Sequence, residues 1–131
     1  MTAPEIRGEK VEIYGYKAWI VKKARLMVDE KGLRVALKVH VLVEHPTDES
    51  GCYLYTIERG DEIRFDWFND VNVIEMYKQI AAVLNELYER VKEKIAAFNV
   101  LKETLLKENI VVDAYCWGYW TKKESAIKEL Q

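Results

Sequence analysis

Residues 69–109 read NDVNVIEMYKQIAAVLNELYERVKEKIAAFNVLKETLLKEN, and this stretch decides the fold. Apolar residues recur in it at alternating steps of three and four from Ile74 to Phe98, and no glycine or proline interrupts them. This spacing is typical of a helix with one continuous apolar seam. The seam residues are Ile74, Tyr77, Ala81, Leu84, Tyr88, Val91, Ile95 and Phe98.

Such a helix is long for a chain of 131 residues. About 38 residues at 1.5 Å each span roughly 57 Å, whereas the radius of gyration expected for the whole globule is only ~14 Å. The helix must therefore break, or it projects and pairs with another helix. We expect a coiled-coil contact in a homodimer or higher oligomer, and the predicted oligomerisation residues are Tyr88, Val91, Ile95 and Phe98.

Short polar residues mark the two ends of the helix. Asn69 or Asp70 is predicted to cap the first turn, because a side-chain oxygen there satisfies free backbone amides. Asn109 is predicted to end the helix.

The apolar pattern predicts either one continuous helix or two helices. Lys102 occupies the next seam position after Phe98, and the apolar residues that follow it have a shifted phase. A continuous helix over 70–108 and a helical hairpin broken near 97–99 both fit this change. The shifted residues are Leu101, Leu105 and Leu106.

The residues before the helix have the pattern of an antiparallel sheet. Apolar and polar side chains alternate strictly from Leu33 to Glu44, as in a strand with one buried face. Shorter strands are predicted over 11–14 and in the run that ends at Val28. A hairpin is predicted from Cys52–Glu58 and Glu62–Phe68, closed around Arg59-Gly60.

These elements predict an α+β fold: a four- or five-stranded antiparallel β-meander packed on a long helix, with a shorter C-terminal helix. A single domain is expected over 1–131. Its sheet lies within 11–68, its long helix or helical hairpin within 70–108, and an aromatic segment with the short helix within 110–131.

The turn at 29–32 predicts the register of the two central strands. If Val28 faces Leu33, the even-numbered residues from Ala18 to Val28 share the buried face with the odd-numbered ones of the next strand, Lys22 being the exception. In the predicted hairpin, Glu58 facing Asp61 puts Leu54, Thr56, Ile63 and Phe65 on the inward face.

The opposite, outer face of the sheet collects cations beside aromatic rings. Rings that stack on bases, next to Lys and Arg that contact phosphates, are typical of proteins that bind single-stranded nucleic acid. The candidate nucleic-acid-binding residues are Lys17, Trp19, Lys23, Arg25, Arg34, Lys38, Tyr53, Tyr55, Arg64, Trp117 and Trp120. We predict largely sequence-independent binding of single-stranded DNA or RNA.

The layout resembles the ThermoDBP family of archaeal single-stranded DNA-binding proteins. The resemblance rests on Leu33–Phe68, on the seam from Ile74 to Phe98 and on the aromatic segment Tyr115–Trp120. It implies a cleft with an apolar floor and basic edges that binds single strands without sequence preference. In that family the helical zipper lies at the C-terminus, whereas here the strongest heptads precede the aromatic segment.

Three other interpretations stay open. The charged outer face is equally typical of an ordinary solvated sheet face. The aromatic segment also suits a structural or assembly protein, such as a viral or adaptor component, that uses it for protein contacts. An enzyme is the least favoured alternative, because His40 and His45 are the only histidines and no glycine-rich phosphate loop occurs. We predict neither catalytic residues, nor a metal, nor a cofactor.

Composition limits the remaining classes. The net charge of −2 argues against nucleic-acid binding by bulk charge alone, but not against a local basic patch. No apolar run is long enough for a membrane span, so a cytoplasmic location is expected. The scarcity of Gln and abundance of Glu and Lys are typical of proteins from thermophiles. Cys52 and Cys116 are expected to be buried thiols, with a disulfide as the alternative.

Overall fold

The computed structural model of the chain describes residues 7–44, 51–58, 62–66, 72–113 and 120–121, together with Ser125, Lys128 and Leu130. At 51–55, 57–58 and 120–121 the description covers the backbone alone. No helix within these ranges is long and apolar enough to cross a lipid bilayer.

The described chain is an α+β structure with one antiparallel sheet and one long helix, which confirms the predicted class. Four strands, β1 to β4, lie side by side in chain order; β6 extends the sheet past β4, and β5 pairs with β3. The strands are β1 (Glu9–Ile13), β2 (Tyr16–Val28), β3 (Gly32–Glu44), β4 (Gly51–Glu58), β5 (Ile63–Asp66) and β6 (Trp120–Thr121), and the helix is α1 (Val73–Lys107).

The predicted register of the two central strands is confirmed. Val28 pairs with Leu33, and the pairing continues without a shift to Ala18 opposite Val43. Because side chains alternate between the faces of a strand, this register puts the apolar series of β3 on one face. Its buried members are Val35, Leu37, Val39, Val41 and Val43.

The turn between β2 and β3 is held by the side chain of Asp29. Its Oδ1 accepts hydrogen bonds from the backbone N–H of Lys31 at 2.8 Å and of Gly32 at 3.1 Å. Gly32 has a φ of 155°, and a Cβ at this position would collide with the carbonyl oxygen of Phe65. The turn therefore needs glycine at position 32 for β5 to pair with β3.

The predicted hairpin around Arg59-Gly60 is wrong. β4 and β5 both run antiparallel to β3: Lys38 pairs with Glu58, and further along the same edge Val35 pairs with Ile63. β4 and β5 therefore run in the same direction along one edge of β3, and residues 59–61 between them lie outside the described residues. Two successive strands can pair with each other or with the same long neighbour, and β3, with 13 residues, has the length for the second arrangement.

This correction changes which face some residues of β4 occupy. Thr56 was expected inward, but it pairs with His40 of the outer face, and its Oγ1 lies 2.9 Å from His40 Nδ1. In β5 the expectation holds, because Phe65 is buried and Ile63 packs against the core. Leu54 lies in β4, where the backbone alone is described.

The core lies between the inner face of the sheet and one stripe of α1. Leu87, Val91 and Ile95 of the helix are buried in the same cluster as the apolar series of β3. The helix is continuous over 35 residues, about 52 Å at 1.5 Å per residue, and the alternative of a helical hairpin is wrong.

The helix begins later than predicted. Asn72 is the N-cap, and its Oδ1 accepts from the backbone N–H of Ile74 at 3.0 Å and of Glu75 at 3.2 Å, so neither Asn69 nor Asp70 has this role. The predicted end at Asn109 is confirmed. Asn109 has a φ of 59°, its N–H donates to Leu106 O, and Ile110 N–H donates to Leu105 O. This is a Schellman ending.

The place where a break in the helix was considered is a docking point for the turn between β1 and β2. Asn99 Nδ2 donates to the carbonyl of Glu12 at 2.9 Å, and its Oδ1 accepts from the N–H of Tyr14 at 2.9 Å. Lys102 Nζ donates to the carbonyl of Tyr14 at 2.9 Å. Lys102, which interrupts the seam, and the neighbouring Asn99 therefore bind backbone groups, and they do not end the helix.

The predicted short C-terminal helix is not defined by the structure. Of the residues expected to form it, only Ser125, Lys128 and Leu130 are described.

Candidate nucleic-acid interface

Five of the predicted cations lie together on the outer face of β2, β3 and β5, and we name this group the basic strip: Lys23, Arg25, Arg34, Lys38 and Arg64. Lys23 pairs directly with Lys38 across the strands, and Arg34 pairs with Arg64. Arg25 lies between these two pairs, opposite Ala36. Arg34 and Lys38 are four positions apart along β3, so the basic strip is about 13 Å long.

Arg34 is the most constrained member of the basic strip. Its Nε lies 3.3 Å from Asp29 Oδ2, and its Nη1 lies 3.5 Å from Glu62 Oε2. Two carboxylates on different elements thus fix the direction of this guanidinium. Neither ion pair of Arg34 was predicted from the sequence, which placed Asp29 only in the turn at 29–32.

Asp29 interacts both with the backbone of the turn and with Arg34 of the basic strip. Its pKa is lowered below the ordinary value of 3.8, mainly because the carboxylate accepts a hydrogen bond from the N–H of Lys31. The N–H of Gly32 and the positive charges of Arg34 and Lys31 lower the pKa further, whereas partial desolvation of the carboxylate raises it. The carboxylate is thus ionised at neutral pH, where it holds both the turn and Arg34.

The other members differ in exposure. Arg25 and Arg64 are exposed, and neither has an ion pair within the part of the chain that the structure describes. Lys23 and Lys38 are half-buried and have interactions of their own. Like charges that face each other across strands oppose folding unless something anionic compensates them. Because Arg25 and Arg64 are exposed and have no ion pair among the described residues, they are the members most available to an anionic ligand.

Lys17 does not belong to the basic strip. It lies on the same face of β2, but opposite Glu12 of β1 and six residues from Lys23, about 20 Å along the strand. Side chains between them include Val21, which is buried. The structure thus separates Lys17 from the other predicted cations.

The outer face is not open along its whole length, which corrects the expectation that Trp19, Val21, His40 and Leu42 all lie on an uncovered side. Val21 and Leu42 are buried together with Leu130, and the half-buried Trp19 packs against them. His40 is buried as well. Leu130 therefore covers part of this end of the sheet, and Trp19 has lost part of its surface to the same apolar cluster.

The predicted tyrosines do not have equivalent positions in β4. Tyr53 pairs with Leu42 of the outer face, whereas Tyr55 pairs with the core residue Val41, because a bulge lies between these two pairs. Only the backbone of both tyrosines is described. Trp120 lies in β6 and pairs with Cys52 at the backbone, which puts it next to β4 in the sheet. Trp117 and Cys116 lie outside the described residues.

The four predicted oligomerisation residues contact the chain's own sheet. Val91 and Ile95 are buried in the core, and Phe98 stacks on Tyr14 with ring centroids 5.9 Å apart. The half-buried Tyr88 donates its hydroxyl to Glu9. These residues are therefore not available as the main contact between copies, since the sheet already occupies their surface.

Lys22, the exception on the buried face, is explained by Tyr88. Its Nζ lies 4.4 Å from the centroid of the Tyr88 ring, a cation–π contact that keeps the ammonium at the edge of the core. Lys92 approaches the same ring at 5.3 Å and lies 3.5 Å from Glu9.

Within the described ranges, no three His, Cys, Asp or Glu residues are grouped so that they would hold a metal ion. His40 is buried against Thr56, and His45 lies outside the described residues.

Comparison of the chain with protein-family models, with curated proteins and with solved structures finds no match.

Proposed function

We propose that the basic strip binds the phosphate groups of a single-stranded nucleic acid without sequence preference. The observation that carries this proposal is the position of five cations within about 13 Å of one sheet face, of which Arg34 is compensated by Asp29 and Glu62, in a chain whose net charge is −2. A phosphate backbone is the extended polyanion that such a strip suits, and release of its counterions would drive binding.

The members of the basic strip have different roles in this proposal. The exposed Arg25 and Arg64 contact phosphates directly, and Arg34, held by Asp29 and Glu62, supplies a fixed guanidinium between them. Lys23 and Lys38 contribute the field at the other end. Contacts with phosphates therefore carry the proposed binding, and Trp19, Tyr53 and Trp120 stay the predicted stacking residues. Because Trp19 is half-buried, we expect its contribution to be smaller than that of a fully exposed ring.

The direct test is a fluorescence-anisotropy titration of a labelled oligothymidylate at low salt. The variant Arg25→Gln/Arg64→Gln should bind at least about tenfold more weakly, since it loses two phosphate contacts. The matched control is Arg90→Gln/Lys107→Gln, which removes the same charge from exposed positions of α1 and should bind like the wild type. Equal weakening by both variants, or no binding by the wild type, would refute the proposal.

A structural or assembly protein is the second candidate. The observation that favours it is a group of exposed apolar side chains at the end of α1, since such patches mark contacts with other proteins. Pull-down of the wild type by its own tagged copy, with no retention on single-stranded DNA, would favour this candidate over the first. An archaeal and thermophilic source, a cytoplasmic location and a likeness to ThermoDBP proteins stay predictions.

A further inference from the structure

The second half of β2 has an open edge. β1 pairs only with the residues of β2 from Tyr16 to Ile20, and from Lys22 to Val28 the strand pairs with β3 alone among the described strands. The backbone N–H and C=O groups on its other side therefore meet no strand within the described ranges. Such an edge is a template for pairing with a further strand.

Large apolar side chains beside this edge are exposed on the inner face of the sheet. Leu26 and Val28 belong to this face, because they pair with Val35 and Leu33 of the apolar series of β3, yet they are 60% and 70% exposed. In the first turns of α1, Ile74 is 65% and Tyr77 is 67% exposed. The helix therefore leaves the inner face uncovered at the end of β2.

The exposed residues of the helix lie on the side that is turned toward β2. The ring of Tyr88 lies over Lys22 of β2, with 4.4 Å between Nζ and the ring centroid. Tyr77 and Ile74 precede Tyr88 by 11 and 14 residues, which is close to three and four whole turns, so they share its side of the helix.

These helix residues are also level with the end of β2. Lys102 contacts Tyr14 just before β2 begins, whereas Tyr88 contacts Lys22 near its middle, so α1 runs antiparallel to the strand. From Tyr88 back to Tyr77 the helix rises about 16 Å, and five further residues of β2 cover the same distance. Helix and strand together present one apolar surface along the open edge, which we name the edge surface: Leu26, Val28, Ile74 and Tyr77.

From this surface we infer that a second copy of the chain pairs with β2 through its own β2, antiparallel and with Leu26 on the two-fold axis, so that two sheets become one. In this register the numbers of facing residues add to 52. On the inner face Leu26 meets the partner's Leu26, and Ala24 meets the partner's Val28. On the outer face Arg25 meets the partner's Met27. Apolar side chains thus meet on the inner face, and no like charges lie directly opposite each other.

The neighbouring registers are less favourable. Because both inner faces lie on one side of the joined sheet, only registers centred on a residue are possible. Centring the pair on Arg25 would set the two Arg25 side chains against each other, and centring it on Ala24 would set Arg25 against the partner's Lys23. Like charges directly opposite each other oppose strand pairing. Centring it on Met27 would set Ala24 against the partner's Glu30 on the apolar face. The sequence of β2 is therefore self-complementary in one register, and a second copy supplies that strand.

The helices complete the contact. Neighbouring strands are about 4.8 Å apart, so the β3 strands of the two copies would be about 14 Å apart. α1 packs mainly over β3, which puts Ile74 and Tyr77 in the space between the two helices. The pairing would cover the edge surface of both copies and leave the outer face uncovered. The inference is therefore independent of the proposed function.

Sedimentation equilibrium of the full chain tests the inference. The wild type should be a dimer, and Leu26→Glu should raise the dimer dissociation constant at least about tenfold, because two carboxylates would replace an apolar pair on the axis. The matched control Val100→Glu adds the same charge at an equally exposed position near the other end of α1 and should leave the dissociation constant unchanged. Because both substitutions are at exposed positions, circular dichroism should show unchanged folding for each.

Mixing two variants tests the position of the axis. Leu26→Glu and Leu26→Lys should each dimerise poorly alone, whereas their mixture should form a heterodimer at least about tenfold more tightly than either homodimer, since a carboxylate then faces an ammonium group. A wild type that stays monomeric at high concentration, as expected if another segment of the chain covers the edge, would overturn the inference. A dimer that Leu26→Glu does not weaken, or that Val100→Glu weakens equally, would overturn it as well. A mixture without heterodimer would overturn the placement of Leu26 on the axis.

Discussion

Asn99 is the residue on which the docking of the helix depends most. Its amide group both donates to Glu12 O and accepts from Tyr14 N–H, at a turn where Tyr14 itself has a φ of 54°. A non-glycine residue in this conformation needs support from its surroundings. Asn99 thus fixes the β1–β2 turn against α1.

Replacing Asn99 by Ala should therefore destabilise the protein by about 1–3 kcal/mol, since two backbone groups lose their hydrogen-bond partner. Urea denaturation followed by circular dichroism measures the change. Asn85→Ala, at an exposed position of the same helix, is the matched control and should change the stability by less than about 0.5 kcal/mol. Equal stabilities of the two variants would show that the contact is unimportant.

The pH dependence of stability should contain a contribution from Asp29. Because its pKa is lowered in the folded state, the ionised carboxylate stabilises the fold above the ordinary pKa of 3.8, and this stabilisation is lost as the pH falls through the lowered value. Asp29→Asn should be less stable than the wild type at neutral pH, and the difference should shrink in acid. A difference that stays constant across this range would contradict the assignment.

Burial on the outer face of the sheet could not be predicted from the sequence. The alternation in β3 correctly gave the two faces, but it gave no sign that Val21, His40 and Leu42 are covered. Leu130, which packs with Val21 and Leu42, lies 109 and 88 residues away from them in the chain. Alternation reports which side a residue faces, and only the tertiary structure decides whether that side meets water.

The elements differ in how far local pattern determines them. The β2–β3 register follows from a short turn between two long alternating strands, so it was predictable. The arrangement of β4 and β5 was not predictable. The residues around Gly60 suit a hairpin turn, and they suit equally well a short break between two strands that both pair with β3. The phase shift at Lys102 was visible in the sequence, but the structure has a lysine there that donates to the carbonyl of Tyr14, and the helix does not break.

The end of α1 offers a test at the level of the element. Asn109 has the left-handed conformation of a Schellman ending, which glycine adopts without strain. Asn109→Gly should keep or raise the stability by up to about 0.5 kcal/mol, whereas Asn109→Val should lower it by about 1–2 kcal/mol. Thermal unfolding of the pair measures both effects. A valine variant as stable as the glycine variant would show that the ending contributes nothing.

The whole molecule has two separate surfaces on opposite sides of the sheet. α1 packs on the inner face, where Leu87, Val91 and Ile95 share one buried cluster with the apolar series of β3, and the basic strip lies on the outer face.

The salt dependence of binding tests the central claim most directly. The dissociation constant of the wild type for an oligothymidylate is measured over a series of salt concentrations. If the basic strip contacts about four phosphates, the plot of log K against log salt should have a slope near −3, and Arg25→Gln/Arg64→Gln should reduce it to about half. A slope near zero, or the same slope for wild type and variant, would contradict the claim that these cations bind the phosphate backbone.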